Sequence, residues 1–168
     1  MNSQINKSVY AKFGHPQIII VHFFQLEMLE ERIINRLKLI AMGYHPFMVE
    51  LKDFGSFPSH TIFINVESQL QVKSIIKEIK SAQHLMTLTK DKKPHFIDTP
   101  NITIARKLLP WQYEKAWLEY SNKPFTGRFI ADSMLLIKRK VGEKKYQIVQ
   151  RFEFMNLPVA TKQGELFM

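Results

Sequence analysis

The chain contains no cysteine. That excludes disulfide staples, thiolate nucleophiles and cysteine-ligated zinc, and it leaves cytoplasm as the default compartment. No apolar run approaches the roughly 20 residues that a membrane helix needs. The apolar stretch from Ile18 to Phe24, with Lys7 and Lys12 ahead of it, superficially suggests a signal peptide. It is short, contains His22, and leads into Leu26-Glu27-Met28-Leu29-Glu30-Glu31 with no small-residue cleavage site. A soluble, cytoplasmic protein without a membrane partner is expected. Acidic residues are scarce: 15 Asp and Glu stand against 24 Lys and Arg, a net charge of +9. Such a balance favours anionic partners such as RNA, nucleotides or acidic surfaces. The six histidines show no metal-ligand spacing on a helix or strand, so neither a metal site nor a cofactor is expected.

What is present is apolar and aromatic. Hydrophobic residues make up 45% of the 168 positions, with 13 Phe and 5 Tyr. That is a globular composition, enough for one compact domain or two small lobes sharing a core. A short segment occurs twice, as Pro16-Gln17-Ile18-Ile19-Ile20-Val21 and Pro100-Asn101-Ile102-Thr103-Ile104-Ala105. Each copy is a β-type run opened by proline, with a carboxamide second. Helical sequence follows each, then Pro-Phe (Pro46-Phe47 and Pro124-Phe125), then two further strand-like runs. The pattern reads as one β-α-β-β unit used twice, giving two lobes with a groove between them.

Periodicity supplies the elements. Residues 1–14 read as a flexible lead-in, and a first strand is expected over about Gln17–Phe24. A helix over about Glu27–Met42 presents Leu29, Ile33, Leu37, Ile40 and Ala41 on one face, with Gly43 as its stop. Strands follow at Phe47–Leu51 and His60–Val66, joined by an Asp53–Pro58 connection. A bridging helix within 68–84 carries Val72, Ile75, Ile76 and Ile79, and Met86–Thr99 reads as a polar, lysine-rich loop. Beyond it come a strand at Ile102–Arg106, a helix at Pro110–Tyr120, and strands at Phe125–Ala131, Met134–Lys140 and Lys144–Phe154. The last two form a hairpin turning at Gly142. The expected organisation is a single domain over 15–156, with lobe one at about 15–66 and lobe two at about 100–156. An irregular tail covers 157–168.

Three segments carry a family resemblance: Phe-Gly-Ser-Phe-Pro-Ser-His-Thr-Ile-Phe-Ile at 54–64, Pro100-Asn101-Ile102-Thr103-Ile104-Ala105-Arg106-Lys107-Leu108, and Met134-Leu135-Leu136-Ile137-Lys138-Arg139. They resemble the two-histidine (2H) phosphoesterase superfamily, which contains the 2′-5′ RNA ligase-like proteins and the cyclic nucleotide phosphodiesterases. The resemblance implies a bilobal α+β fold, with antiparallel sheets flanking a central groove and helices outside. It also implies a His-x-Thr/Ser motif on one strand of each lobe. The histidines serve as general base and acid on a 2′,3′-cyclic phosphate, and the hydroxyls hold its oxygens. Residues i and i+2 of a strand share a face, so each lobe would offer one imidazole and one hydroxyl.

Carried over by position, the motifs fall on Gln17-Ile18-Ile19 and Asn101-Ile102-Thr103. Carboxamides then stand where the histidines belong, and Thr103 alone keeps a hydroxyl. A carboxamide cannot transfer a proton near neutral pH. The expectation is a catalytically degenerate protein that binds an RNA end or phosphorylated nucleotide through Gln17, Asn101, Thr103, Arg106 and Lys138, with enzymatic activity left open. One alternative is an active phosphodiesterase or 2′-5′ RNA ligase-like enzyme that uses His60 or His95. Against it, Thr61 directly follows His60 and is expected on the opposite strand face. Members of the family usually carry a strand and helix ahead of the first motif, and only 16 residues precede Gln17. A missing strand would open a sheet edge to a second copy or a partner strand, which makes a scaffold the remaining alternative.

Overall fold

A computed structural model describes residues 16–157. The lead-in over 1–14, His15 and the tail beyond Leu157 lie outside the described residues. The chain forms two compact units, each assembled from separate stretches. Unit one holds the described stretch up to Val21, Val49–Lys73 and Ile97–Phe129. Unit two holds His22–Met48, Ser74–Phe96 and the described stretch from Ile130.

Unit one is built on a twisted antiparallel sheet. Its central strand is β3 (Thr61–Val66), with β5 (Asn101–Ala105) on one side and β2 (Phe47–Phe57) on the other. β6 (Thr126–Ala131) lies beyond β2. The register pairs Ile62 with Ser56 and Ala105, and Ile64 with Phe54 and Ile102. These isoleucines form the apolar side, and α4 (Pro110–Tyr120) packs on it. The Ser56 hydroxyl lies 2.8 Å from the Tyr113 hydroxyl, and the Phe54 ring lies 4.9 Å from that of Tyr120. Pro110 opens α4 as expected, because its missing N–H is one that no helix would use there. The Leu109 amide before it donates to Gln112 Oε1 at 3.0 Å.

β2 corrects the sequence reading. In place of the expected Asp53–Pro58 connection, the strand runs on to Phe57 and the turn comes after it. Asp53 and Gly55 resemble turn residues but serve the sheet. Asp53 takes φ +57° where the register shifts, a conformation that Asp tolerates better than most residues. There it exchanges two hydrogen bonds with Phe125: its N–H donates to the Phe125 carbonyl, and its carboxylate accepts from the Phe125 N–H. Gly55 is required by packing. A Cβ at that position would collide with the Phe63 ring and sit 2.8 Å from Asn65 Oδ1. The first strand is also shorter than expected, reduced to a bridge at Ile18 and β1 (Val21–His22). The Met86–Thr99 loop contains β4 (His95–Phe96).

In unit two, α1 (Glu30–Met42) follows a 3₁₀ turn and buries Ile33, Leu37, Ile40 and Ala41. It packs against the hairpin of β7 (Ser133–Lys138) and β8 (Gln147–Glu153), which contributes buried Phe152. The helix ends at Gly43 as expected, although Gly43 itself stays right-handed at φ −83°. Gly142 turns the hairpin at φ +92°, which suits a residue without Cβ. On the first hairpin strand, Lys138 donates to Glu30 of α1 and lies 3.8 Å from Glu27. The hydrogen bond to Glu30 is the main cause that raises the Lys138 pKa above its ordinary 10.5. α2 (Gln69–Lys80) buries Val72, Ile75, Ile76 and Ile79, as its spacing requires, and the short α3 (Gln83–Met86) follows it in the chain. Among the described residues no helix is long and apolar enough to cross a membrane.

Two outcomes follow from this packing. Gly55→Ala forces the buried Phe63 ring off its seat, and overpacking of this kind costs about 1–3 kcal/mol; urea unfolding should show the loss with an unchanged slope. The raised Lys138 pKa means that its stabilising contribution is complete below the unfolded value and fades as pH rises through the higher folded value. Thermal melts above pH 10.5 should therefore fall more steeply in the native protein than in Lys138→Met.

Candidate functional site

The two copies of the repeated segment lie side by side within unit one. Ile18 and Ile102 form an antiparallel bridge, and the Ile97 N–H donates to the Ile20 carbonyl at 3.0 Å. In that register Gln17 lies across from Thr103 and Ile19 across from Asn101. The third residues of the two copies therefore meet, and the second of each faces the fourth of the other, a local two-fold relation. Ile18 and Ile102 take the side that α4 covers. Gln17, Ile19, Asn101 and Thr103 take the other, as the period of two requires.

On that second face the side chains are already ordered. The Thr103 hydroxyl donates to Asn101 Oδ1 at 3.2 Å, and Asn101 Nδ2 donates to the Thr99 carbonyl at 3.0 Å. The i, i+2 pairing expected for Asn101 and Thr103 is thus observed. Gln17 is exposed, and both Asn101 and Thr103 are half-buried. The adjoining strand adds a residue that sequence reasoning missed. Asn65 is the Cα partner of Asn101, and its Nδ2 donates to the Asp53 carbonyl at 3.2 Å. Parity in β3 could have marked it, but only the register shows that it stands beside Asn101. Phe63 is likewise the partner of Thr103. The face therefore offers three carboxamides and a hydroxyl, bordered by aromatic rings.

The remaining candidates sit as follows. His60 belongs to the turn before β3, its Nδ1 lies 2.6 Å from Thr61 Oγ1, and its carbonyl accepts from the Leu108 N–H at 3.0 Å. The expectation that Thr61 points away from His60 is corrected. Strand alternation begins only at Thr61, so the turn can curl the imidazole onto the neighbouring hydroxyl. Arg106 is exposed immediately after β5, followed by Lys107 at φ +56°. His95 is exposed on β4. Lys138 lies in unit two and is engaged by Glu30 and Glu27, partners that its sequence surroundings give no hint of. Among the described residues, no group of three or more His, Asp or Glu is placed to hold a metal ion. Depressions of about 430 and 420 Å³ occur elsewhere on the surface, and neither is lined by Gln17, Asn101 or Thr103. The arrangement can donate and accept hydrogen bonds on an open surface.

Comparison with known proteins places the fold. The crystal structure of TT0787 from Thermus thermophilus is similar, with a TM-score of 0.58 and 14% identity, over 92% of this chain and 94% of that one. Escherichia coli LigT complexed with 3′-AMP aligns with a TM-score of 0.46 and 14% identity, over 84% and 99% of the two chains. No match was found among curated proteins. The α+β architecture with antiparallel sheets agrees with the fold expected from the sequence. The family described as the 2′-5′ RNA ligase superfamily matches residues 10–143, and the chain belongs to it.

Proposed function

We propose that this protein binds the phosphorylated end of an RNA or nucleotide on the open face of the unit-one sheet and does not turn it over. The observation that carries the reading is the Ile18–Ile102 bridge, which sets Gln17, Asn101 and Thr103 on one surface. Asn101 gives one amide proton to Thr99 and keeps the second for a phosphate oxygen. Gln17 adds donors from across the bridge, and Arg106 lies at the exit of the same strand. The net charge of +9 draws an anion towards the protein. Neither Gln17 nor Asn101 can serve as proton donor or acceptor in a reaction. A general acid or base each contributes about 10²–10⁴-fold, so losing both removes most of the rate.

His60 supports a second reading, in which turnover persists. Its ring is held by the contact to Thr61 Oγ1, and Thr61 shares strand parity with Phe63, the partner of Thr103. That would leave Nε2 to exchange a proton with a ligand, and His60→Ala would then abolish any hydrolysis.

Fluorescence anisotropy separates binding from non-specific attraction. A labelled oligoribonucleotide ending in a 2′,3′-cyclic phosphate should bind more tightly than the same oligonucleotide ending in hydroxyls. Hydrogen bonds to a charged group are each worth about 1.5–3 kcal/mol, so Asn101→Leu should lower affinity for the phosphorylated end by roughly tenfold to a hundredfold. Equal affinity for both ends at physiological salt would contradict the proposal.

A further inference from the structure

Two phenylalanines of β2 could in principle stack on a ligand, and the fold separates them. Phe54 lies on the side that α4 covers, its ring 4.9 Å from Tyr120 and 5.5 Å from Phe125. Its ring is half-buried and engaged by those two. Phe57 lies on the opposite side, two residues beyond Gly55, and is 44% exposed. Its ring meets Phe63 with centroids 4.7 Å apart and planes tilted by 43°. Phe63 is only 6% exposed and leans into the space that Gly55 leaves open, so it gives Phe57 a fixed seat.

The same register ties this aromatic pair to the polar group. Phe63 is the Cα partner of Thr103 on one side and of Gly55 on the other. Phe57 therefore stands two strands from Thr103, and adjacent strands lie roughly 4.8 Å apart. That span is on the scale of one nucleotide measured from its phosphate to its base. An exposed ring held at a tilt by a buried one, beside a hydroxyl and carboxamides, suits a ligand with an anionic end and a flat apolar part.

We infer that Phe57, seated on Phe63, is a nucleobase platform for the ligand whose phosphate lies at Asn101 and Thr103. The inference rests on the nucleotide-binding reading and adds the residue that holds the base, which distinguishes a nucleotide or RNA end from a bare sugar phosphate. Stacking uses the π-face that every base has, so the platform adds affinity without selecting one base.

Calorimetric titration of the full chain with adenosine 3′-monophosphate and with ribose 5-phosphate tests it, alongside Phe57→Ala and Phe57→Trp. Loss of a stacked base costs about 1–3 kcal/mol, so Phe57→Ala should weaken nucleotide binding by about 5- to 150-fold. It should leave ribose phosphate unchanged, and Phe57→Trp should retain nucleotide affinity. Proton NMR should show the adenine H2 and H8 signals moving upfield on binding to the native protein and not to Phe57→Ala. Equal affinity of the native protein for both ligands, or equal losses for both in Phe57→Ala, would overturn the platform while leaving phosphate binding intact. Failure of the native protein to bind either ligand would overturn both.

Discussion

The pleat of β5 is the constraint from which the site follows. Successive side chains of a strand point to opposite faces, and Ile102 is needed on the side that α4 covers. Burying such a side chain contributes about 1.5–3 kcal/mol, so the strand cannot slip by one residue without turning its apolar residues to solvent. Asn101 and Thr103 are thereby held on the other face together. The Ile18–Ile102 bridge applies the same constraint to the first copy of the repeat, and Gln17 and Ile19 follow. Packing on one side of the sheet thus positions chemistry on the other.

That chemistry is narrow. The face carries amides and a hydroxyl, groups that bind anions and bases but do not exchange protons near neutral pH. The chain belongs to the 2′-5′ RNA ligase superfamily, and the fold alone does not decide what a member does with its ligand. The residues at the site decide it. On the proposed reading they hold a ligand without turning it over, and the imidazole of His60 is the group that would reverse that balance.

Much of the fold is legible in the sequence, for identifiable reasons. α4 can be read to its ends because Pro110 suits a first helical position and Tyr113, Ala116, Trp117 and Tyr120 recur at helical spacing. Asn101 and Thr103 can be placed on one face from spacing alone. Local sequence misleads at β2 because Asp53 and Gly55 serve distant residues: one bonds Phe125, and the other makes room for Phe63. Neighbouring residues do not carry such reasons. Asn65 escapes sequence reading for the same cause, since its place beside Asn101 depends on a register between strands far apart in the chain. Lys138 is recognisable as a cation, but its partner Glu30 lies 108 positions away.

Phosphorus NMR of the purified protein with an oligoribonucleotide ending in a 2′,3′-cyclic phosphate tests the central claim most directly. A binding face without proton-transfer groups should shift and broaden the cyclic phosphate resonance while leaving its intensity constant over hours. Steady conversion to a monoester signal that His60→Ala abolishes would contradict the account and make the protein an active phosphodiesterase.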